Sequence, residues 1–239
     1  SGLSQYCVAK FESNACTWAI QSTGNGVSSY FSARAQVLSN AVGDAILFGN
    51  KANAITFENN TVDGGTNGFL AKINGNTGTL VSLADQPFFN HGWTDGQNIL
   101  QTGSPNYNVI FRKTNDVGIT LIDRSFESDS GFGIVTSSRK DNTGVYILAN
   151  VAGNSLFLGQ EDFYPESSIA IWKLNFAGNA ILWKQIIPGA SSVFSYGHSL
   201  WLDQVNSNLY IVGSFLSPFE LVDRRWVQPM EVYLSLKWV

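Results

Sequence analysis

The chain has 239 residues, which is enough to bury the core of one large domain. Only 13% of its residues are charged, although 44% are hydrophobic, so Ser, Thr, Asn, Gln and Gly must cover much of the surface. The net charge of −4, without a basic cluster, argues against nucleic-acid binding, and no apolar run approaches the ~20 residues of a membrane span.

The first predicted element is a β-hairpin in residues 1–29. It consists of the strand "CVAKFE" around Lys10, the turn "ESNA" and the strand "CTWAIQ". A polar turn between two apolar strands is typical of a hairpin. Cys7 and Cys16 lie in this hairpin, and we expect a disulfide between them in an oxidising compartment, with two free thiols as the alternative.

Residues 30–88 contain four predicted strands, named A, B, C and D in chain order. They read "FSARAQVLS", "DAILFGN", "FLAKIN" and "TLVSLAD", with the turns "NAVGD" and "NGNTG" after A and C. Gly, Asn and Asp supply the positive φ angles and local hydrogen bonds that tight turns need. The segment also holds the sequon Asn59-Asn60-Thr61, so Asn59 is a predicted glycosylation site.

The same order recurs in the rest of the chain. Residues 89–127 form a short unit, residues 128–189 a longer one, and residues 190–239 a last unit without a predicted D strand. Their B strands read "NILQTGS", "VYILANV" and "NLYIVGSF". Four-stranded units that repeat after about 40 to 64 residues are typical of β-propeller blades, which bury their faces against one another.

We therefore predict an all-β fold in which residues 1–239 form a single β-propeller domain of about four to five four-stranded antiparallel blades. A plain β-sandwich is the alternative. The predicted strands do not add up to complete four-stranded blades, because the N-terminal hairpin lacks A and B strands. Unpaired edges invite another strand, so we expect the propeller to be incomplete or closed by a partner. That partner would be another subunit, as in a homo-oligomer, or a domain of a larger chain.

The repeat also resembles a known family. The segments "VNSNLYIVGSF", "NGFLAKINGNTG" and "IWKLNFAGNAILW" are similar to the β-propeller repeat of bacterial and protist extracellular proteins. The resemblance covers most of the chain at the level of repeats, and it implies the propeller fold without a single activity. The polar surface and the sequon likewise favour an extracellular or cell-surface location.

One lysine recurs at the same position of strand C. The five residues are Lys10, Lys72, Lys113, Lys173 and Lys237. They could form an anion-binding ring around the axis of a propeller. We favour a packing role instead, in which each stem lies over a neighbouring aromatic ring and the ammonium group reaches water.

No catalytic or metal-binding motif is present. The sequence lacks GxSxG, HExxH and Walker motifs, and its Asp-Gly loops do not match a calcium loop. His91 and His198 occupy equivalent positions in two repeats. Equivalent positions lie far apart around a propeller ring, so we do not expect the two residues to share a metal. A propeller glycosidase would need two acidic residues as an acid–base pair, and nothing in the sequence identifies such a pair. The candidates are Asp95, Asp123, Glu127, Asp203 and Glu231. We predict no enzymatic activity, no metal and no cofactor.

Two tryptophans lie in or near connections among polar residues. Trp93, in "HGWTDG", and Trp226, in "DRRWVQ", are predicted contacts for a partner or a glycan. The predicted function is a structural or adhesive module of an extracellular assembly that acts through protein–protein contacts at incomplete blade edges. The alternative is a lectin-like carbohydrate-binding propeller, and the third interpretation is a propeller-type glycoside hydrolase.

Overall fold

The computed structural model describes residues 5–24, 35–51, 53–63, 65, 67–87, 89–125, 127–128, 132–158, 160–188, 196–205, 208–214 and 232–236. These residues form an all-β structure with one short 3₁₀ helix, Pro105–Tyr107. The strands in chain order are β1 (Cys7–Glu12), β2 (Ala15–Gly24), β3 (Ala35–Ser39), β4 (Ala45–Asn50), β5 (Ile55–Phe57), β6 (Asn60–Val62), β7 (Gly68–Ile73), β8 (Leu80–Gln86), β9 (His91–Thr94), β10 (Asn98–Gly103), β11 (Ile110–Asn115), β12 (Thr120–Ser125), β13 (Glu127–Ser128), β14 (Phe132–Lys140), β15 (Gly144–Phe157), β16 (Gln160–Asn175), β17 (Ile181–Ile187), β18 (Tyr196–Asp203), β19 (Asn208–Ser214) and β20 (Val232–Leu236).

The strands form five sheets. Sheet I has the order β1-β2-β5-β6, sheet II β3-β4-β7-β8 and sheet III β9-β10-β11-β12. Sheet IV has the order β13-β15-β16-β17, with β14 also paired to β15, and sheet V has the order β18-β19-β20. The prediction of an all-β chain with repeated four-stranded antiparallel sheets is confirmed, and sheets II, III and IV contain the A-B-C-D order.

The burial of sheet II explains its sequence pattern. The inner strands β4 and β7 are buried on both faces, and they read as continuous apolar runs. The outer strand β3 alternates between exposed and half-buried residues. A strand covered on both faces needs apolar residues at successive positions, whereas an outer strand keeps the two-residue alternation.

Sheet I contains two strands that the sequence did not predict. The β5–β6 hairpin lies between strands β4 and β7 in the chain, and it pairs with β2 through the register Ser22↔Phe57. The N-terminal hairpin was expected to lack neighbours of its own. Instead, the inserted hairpin completes it as a four-stranded sheet. The β1–β2 turn is tight because Ser13 and Asn14 both take positive φ angles.

Sheet V departs from the predicted antiparallel blade. Strand β20 lies parallel to β19, with Leu209 opposite Val232 and Gly213 opposite Leu236. Parallel strands need a longer connection than a hairpin turn, and the segment between these two strands, 215–231, is much longer than the β7–β8 turn. The sequence therefore located this strand correctly but not its direction.

The chain forms two compact units: residues 1–101 with 112–121, and residues 102–111 with 122–239. The main core of the first unit lies between sheets I and II and is built by Tyr6, Val8, Ile20, Leu47, Ile55, Phe57, Phe69, Ala71 and Ile73. The core of the second lies between sheets IV and V and is built by Tyr146, Leu148, Ile169, Ile171, Ile187, Leu200, Leu202, Leu209 and Ile211. Among the described residues, no helix is long and apolar enough to span a membrane.

The predicted disulfide between Cys7 and Cys16 is wrong. Both cysteines are free and exposed. The register places Cys7 opposite Gln21 and Cys16 opposite Phe11, so the two cysteines lie four residues apart along the hairpin. Four residues of a strand span about 13 Å, and a disulfide needs Cα atoms within about 7 Å.

Candidate interaction surfaces

In sheets III and IV, the strand-C lysine forms an ion pair with an aspartate of the A–B turn. Lys113 Nζ lies 2.8 Å from Asp95 Oδ2, and Lys173 Nζ lies 2.6 Å from Asp141 Oδ2. The other carboxylate oxygen of each aspartate accepts hydrogen bonds from backbone N–H groups of its own turn. One aspartate therefore both shapes the turn and neutralises the lysine.

These contacts determine the protonation of the two aspartates. Burial works against ionisation, but hydrogen bonds from Lys113 and from the backbone N–H groups of Asn98 and Gln97 lower the pKa of Asp95 to about 2. Burial also opposes ionisation of Asp141, and hydrogen bonds from Lys173 and Thr143 lower its pKa nevertheless. A general acid needs a raised pKa, so neither aspartate is suited to donate a proton at neutral pH.

The corresponding lysine of sheet II links two sheets. Lys72 Nζ lies 3.3 Å from Asp44 of its own A–B turn and 2.5 Å from Asp116 of the β11–β12 turn in sheet III. The hydrogen bond to Asp116 raises the pKa of Lys72, although burial opposes it. In sheet I, Lys10 Nζ similarly donates to the carbonyl oxygen of Gly75 in the β7–β8 turn of sheet II. Lys10 and Lys72 thus each contact a turn of the sheet that comes next in the chain.

The lysine contacts also test the packing interpretation. Lys173 Nζ lies 4.7 Å from the ring centroid of Tyr146, so this lysine does contact an aromatic residue, but the contact is made by its ammonium group. This group is held by Asp141 instead of reaching water. The lysines of the described sheets are neutralised, which gives no support to an anion-binding ring, and Lys237 lies outside the described residues.

The C–D turn of sheet II docks on sheet I. The carbonyl oxygen of Gly75 accepts hydrogen bonds from Lys10 Nζ and Trp18 Nε1, both at 3.0 Å. At Gly78, where φ is +74°, an added Cβ would lie 2.7 Å from atoms of Trp18. The glycines therefore allow the turn backbone to approach the preceding sheet closely.

The C–D turns of sheets III and IV dock in the same way. Gln86 Nε2, on β8 of sheet II, donates to the carbonyl oxygen of Gly118 at 2.5 Å. An added Cβ at Gly118 would lie 2.7 Å from Ala84 Cβ. Arg124 Nε, on β12 of sheet III, donates to the carbonyl oxygen of Gly178 at 3.2 Å. Glycine-containing turns thus fasten sheets II, III and IV to the sheet before each of them.

Each sheet has two faces, which we name by the neighbour they contact. The preceding face packs on the sheet earlier in the chain, and the following face packs on the later one. In sheet II, the preceding face carries Leu47, Phe69, Ala71 and Ile73. Its following face carries Ile46, Phe48 and Leu70, which pack with Ile99 of sheet III. In sheet IV, the following face carries Tyr146, Leu148, Ile169 and Ile171, which pack on sheet V.

The following face of sheet V is exposed. Its preceding face is buried against sheet IV, but Trp201 and Val212 on the opposite face are 55% and 47% exposed. Trp201 pairs with Tyr210, and their ring centroids are 5.3 Å apart. Tyr210 corresponds in position to Tyr146, the residue of sheet IV that the next sheet covers. A face that is buried elsewhere in the repeat is therefore open here.

The preceding face of sheet I is also exposed. Val8 and Ile20 lie on its following face and are buried against sheet II. Phe11, on the opposite face, is 69% exposed. The neighbouring side chains on that face, which are exposed as well, are Cys7, Ala9, Cys16, Ala19 and Gln21. The described part of the chain thus carries one open preceding face and one open following face.

Of the two predicted contact residues, Trp93 lies in the described part of the chain. Trp93 is half-buried on β9, and its ring stacks on His91 with centroids 6.4 Å apart. Trp226 lies outside the described residues. Asn59 is exposed in the β5–β6 turn, where a glycan would be accessible. The exposed Trp201 was not singled out from the sequence, because it alternates with apolar residues as a core tryptophan does.

The predicted acidic and metal-binding candidates are not gathered into one site among the described residues. Asp95 lies in a turn of sheet III, Asp123 on β12 and Asp203 at the end of β18, while Glu231 lies outside the described residues. No group of three or more His, Cys, Asp or Glu residues that could hold a metal occurs in the described part of the chain. Comparisons with protein-family models, curated proteins and solved structures found no significant match.

Proposed function

We propose that this chain is a non-catalytic structural module that joins an extracellular or cell-surface assembly through the open faces of its β-sheets. The observation that carries the proposal is the exposed following face of sheet V. The equivalent faces of sheets II and IV are covered by another sheet, whereas Trp201 and Val212 face solvent. An exposed tryptophan beside apolar neighbours is a typical anchor of a protein–protein contact.

The open faces modify the predicted mode of contact. Incomplete strand edges were expected to recruit a partner, but β5 already pairs with β2 on sheet I. The exposed apolar side chains lie on sheet faces, so we propose that neighbours bind by stacking sheet on sheet. Stacking buries side chains, and it does not require a partner strand to enter the hydrogen-bond ladder.

We further propose that the five sheets are blades of an incomplete β-propeller, which a partner completes. The recurring A-B-C-D order supports this arrangement, as does the docking of each glycine turn on the preceding sheet. The lowered pKa of Asp95 and its pairing with Lys113 support a structural role for an aspartate that a glycosidase could have used.

The size of the native material tests this function. The protein would be cross-linked in its source cells, so that weak contacts survive purification and dilution, and then measured by mass photometry beside the variant Trp201→Asp. The matched control is Val205→Asp, because Val205 is 91% exposed in the β18–β19 turn and not on the following face. We expect a particle larger than one chain that is lost only with Trp201→Asp. A native particle with the mass of one chain would contradict the proposal.

Carbohydrate binding is a second candidate because one observation favours it. The exposed ring of Trp201 lies beside Tyr210, and such a pair offers an apolar surface on which a sugar ring can stack. A glycan array would be probed with the wild-type protein and with Trp201→Ala, and the predicted sites would be tested with Trp93→Ala and Trp226→Ala. Specific glycan binding that is lost in one of these variants would favour the lectin function over assembly.

A further inference from the structure

We infer that the partner at these faces is a second copy of the chain, joined head to tail. The following face of sheet V in one copy packs on the preceding face of sheet I in the next copy. This inference rests on the proposed function, because it names the occupant of the same open faces. It goes further by specifying which two surfaces meet.

The joints within the chain define what an open face accepts. Sheet I meets sheet II, sheet II meets sheet III, and sheet IV meets sheet V; at each of these joints a following face contacts a preceding face. In the described residues, an open following face and an open preceding face remain. A second copy offers a preceding face of sheet I to the open following face of sheet V. The resulting joint has the same pair of faces as the joints within the chain.

The side chains on the two faces are complementary in size. Ala9 and Ala19 lie directly opposite each other on β1 and β2, so the side chains at this point of the preceding face of sheet I are small. Phe11 is the large apolar residue of this face, and it is exposed. Trp201 and Val212 project from the other face. A tryptophan ring can pack over two alanines, and the core between sheets I and II likewise combines Ala71 with larger residues such as Val8 and Ile20.

The joint between copies should be weak. The open face of sheet V is three strands wide and about seven residues long, so it measures about 14 Å by 23 Å, or roughly 330 Å² on each copy. A standard protein interface buries about 800 Å² per partner, so this one belongs to the weak, reversible class. The two faces differ, so the contact is heterologous, and it produces open chains or closed rings instead of symmetric dimers.

Two single-face variants provide the test. Phe11→Asp blocks the preceding face of sheet I and leaves Trp201 intact, whereas Trp201→Asp blocks the following face of sheet V and leaves Phe11 intact. Sedimentation velocity would follow each protein up to about 1 mM. We expect the wild type and Val205→Asp to form a series of oligomers, and each single-face variant alone to stay monomeric. An equimolar mixture of the two variants should form a one-to-one dimer and nothing larger.

The thiols on the sheet I face give a second readout. Cys7 and Cys16 are exposed there, so maleimide labelling should slow about fourfold when the wild type is held at about ten times its dissociation constant, because about a quarter of the faces then remain open. Labelling of Trp201→Asp should not depend on protein concentration. Circular dichroism and the melting temperature would show that each variant is folded, and Ala9→Arg replaces Phe11→Asp if the latter does not fold.

The outcomes separate this inference from the proposed function. Self-association of either single-face variant would overturn the head-to-tail joint, because it would show that one face pairs with itself. A wild type that stays monomeric at about 1 mM, with thiol labelling independent of concentration, would overturn the inference as well. If the native particle nevertheless requires Trp201, the assembly function remains and its partner is a different protein.

Discussion

Replacing Gly118 by alanine tests whether the glycine turns hold the sheets together. Gly118 has a φ of +92°, and its carbonyl oxygen accepts a hydrogen bond from Gln86 Nε2. An added Cβ would lie 2.7 Å from Ala84 Cβ and 3.1 Å from Gln86 Nε2. The substitution therefore imposes backbone strain and also pushes the turn of sheet III away from β8 of sheet II.

The matched control is Gly43→Ala. Gly43 has nearly the same φ, +89°, but an added Cβ there would meet nothing within 4 Å. The left-handed conformation costs a non-glycine residue about 1–2 kcal/mol, which both variants share. Overpacking adds about 1–3 kcal/mol, and only Gly118→Ala carries this contribution. We therefore expect losses of about 1–2 kcal/mol for Gly43→Ala and about 2–5 kcal/mol for Gly118→Ala.

Urea unfolding followed by tryptophan fluorescence would measure the difference. Calorimetry would show whether the two compact units unfold together, because a single free energy of unfolding requires a single transition. For a chain of this size, each kcal/mol shifts the melting temperature by about 2–4 °C. The double variant Gly118→Ala with Ala84→Gly removes the clashing methyl group, so it should recover part of the loss. Equal destabilisation by Gly43→Ala and Gly118→Ala would refute the docking argument.

Three further predictions concern charges and thiols. The folded pKa of Asp95 lies below the unfolded value of about 3.9, so the stability that its carboxylate contributes should be present above pH 4 and disappear as the pH falls towards about 2. The free energy of unfolding of Asp95→Asn should therefore change less with pH in this range than that of the wild type. Equal slopes for the two proteins would contradict this prediction. Asp85→Ala should destabilise the protein by about 3–5 kcal/mol, which is more than the loss expected for Lys51→Met. The reason is that Asp85→Ala removes the carboxylate that pairs with Lys51, whose side chain is only 1% exposed. Denaturant titrations that rank the two variants in the opposite order would refute this prediction. Native, non-reduced protein should react with a thiol reagent at both Cys7 and Cys16, whereas a bridged peptide in non-reducing mapping would contradict the register.

Turn chemistry explains why most strands could be predicted. Asn74, Asn115 and Asn175 each begin a C–D turn, and each side-chain oxygen accepts backbone N–H groups of that turn. These contacts are local in sequence, so they leave a readable pattern of a polar residue, a glycine and two apolar strands. The repeated unit could be recognised from the sequence for this reason.

Long-range pairing explains what could not be predicted. Strands β5 and β6 have three residues each, and the register Ser22↔Phe57 joins segments far apart in the chain. No local pattern specifies such a pair. The disulfide prediction was wrong for a related reason: the β1–β2 register, with its irregularity between Lys10 and Phe11, decides which residues face each other.

The open face of sheet V could not be recognised from the sequence either. Trp172 and Trp201 both alternate with apolar residues along their strands, yet Trp172 is fully buried and Trp201 is 55% exposed. The sequence pattern reports that a strand has an apolar face, and it does not report whether another sheet covers that face. Trp201 could be recognised only after the sheets were placed in order.

Turns and faces contribute differently to the joints between sheets. In the β11–β12 turn, Asp116 holds Lys72 and the carbonyl oxygen of Gly118 holds Gln86, so polar contacts specify which sheet follows which. The apolar faces then supply buried area. The β1–β2 turn has Ser13 and Asn14 in place of a glycine, so it cannot approach a preceding sheet as closely as Gly118 does. The proposed joint between copies would therefore rely on its faces alone, and it should dissociate more readily than the joint between sheets II and III.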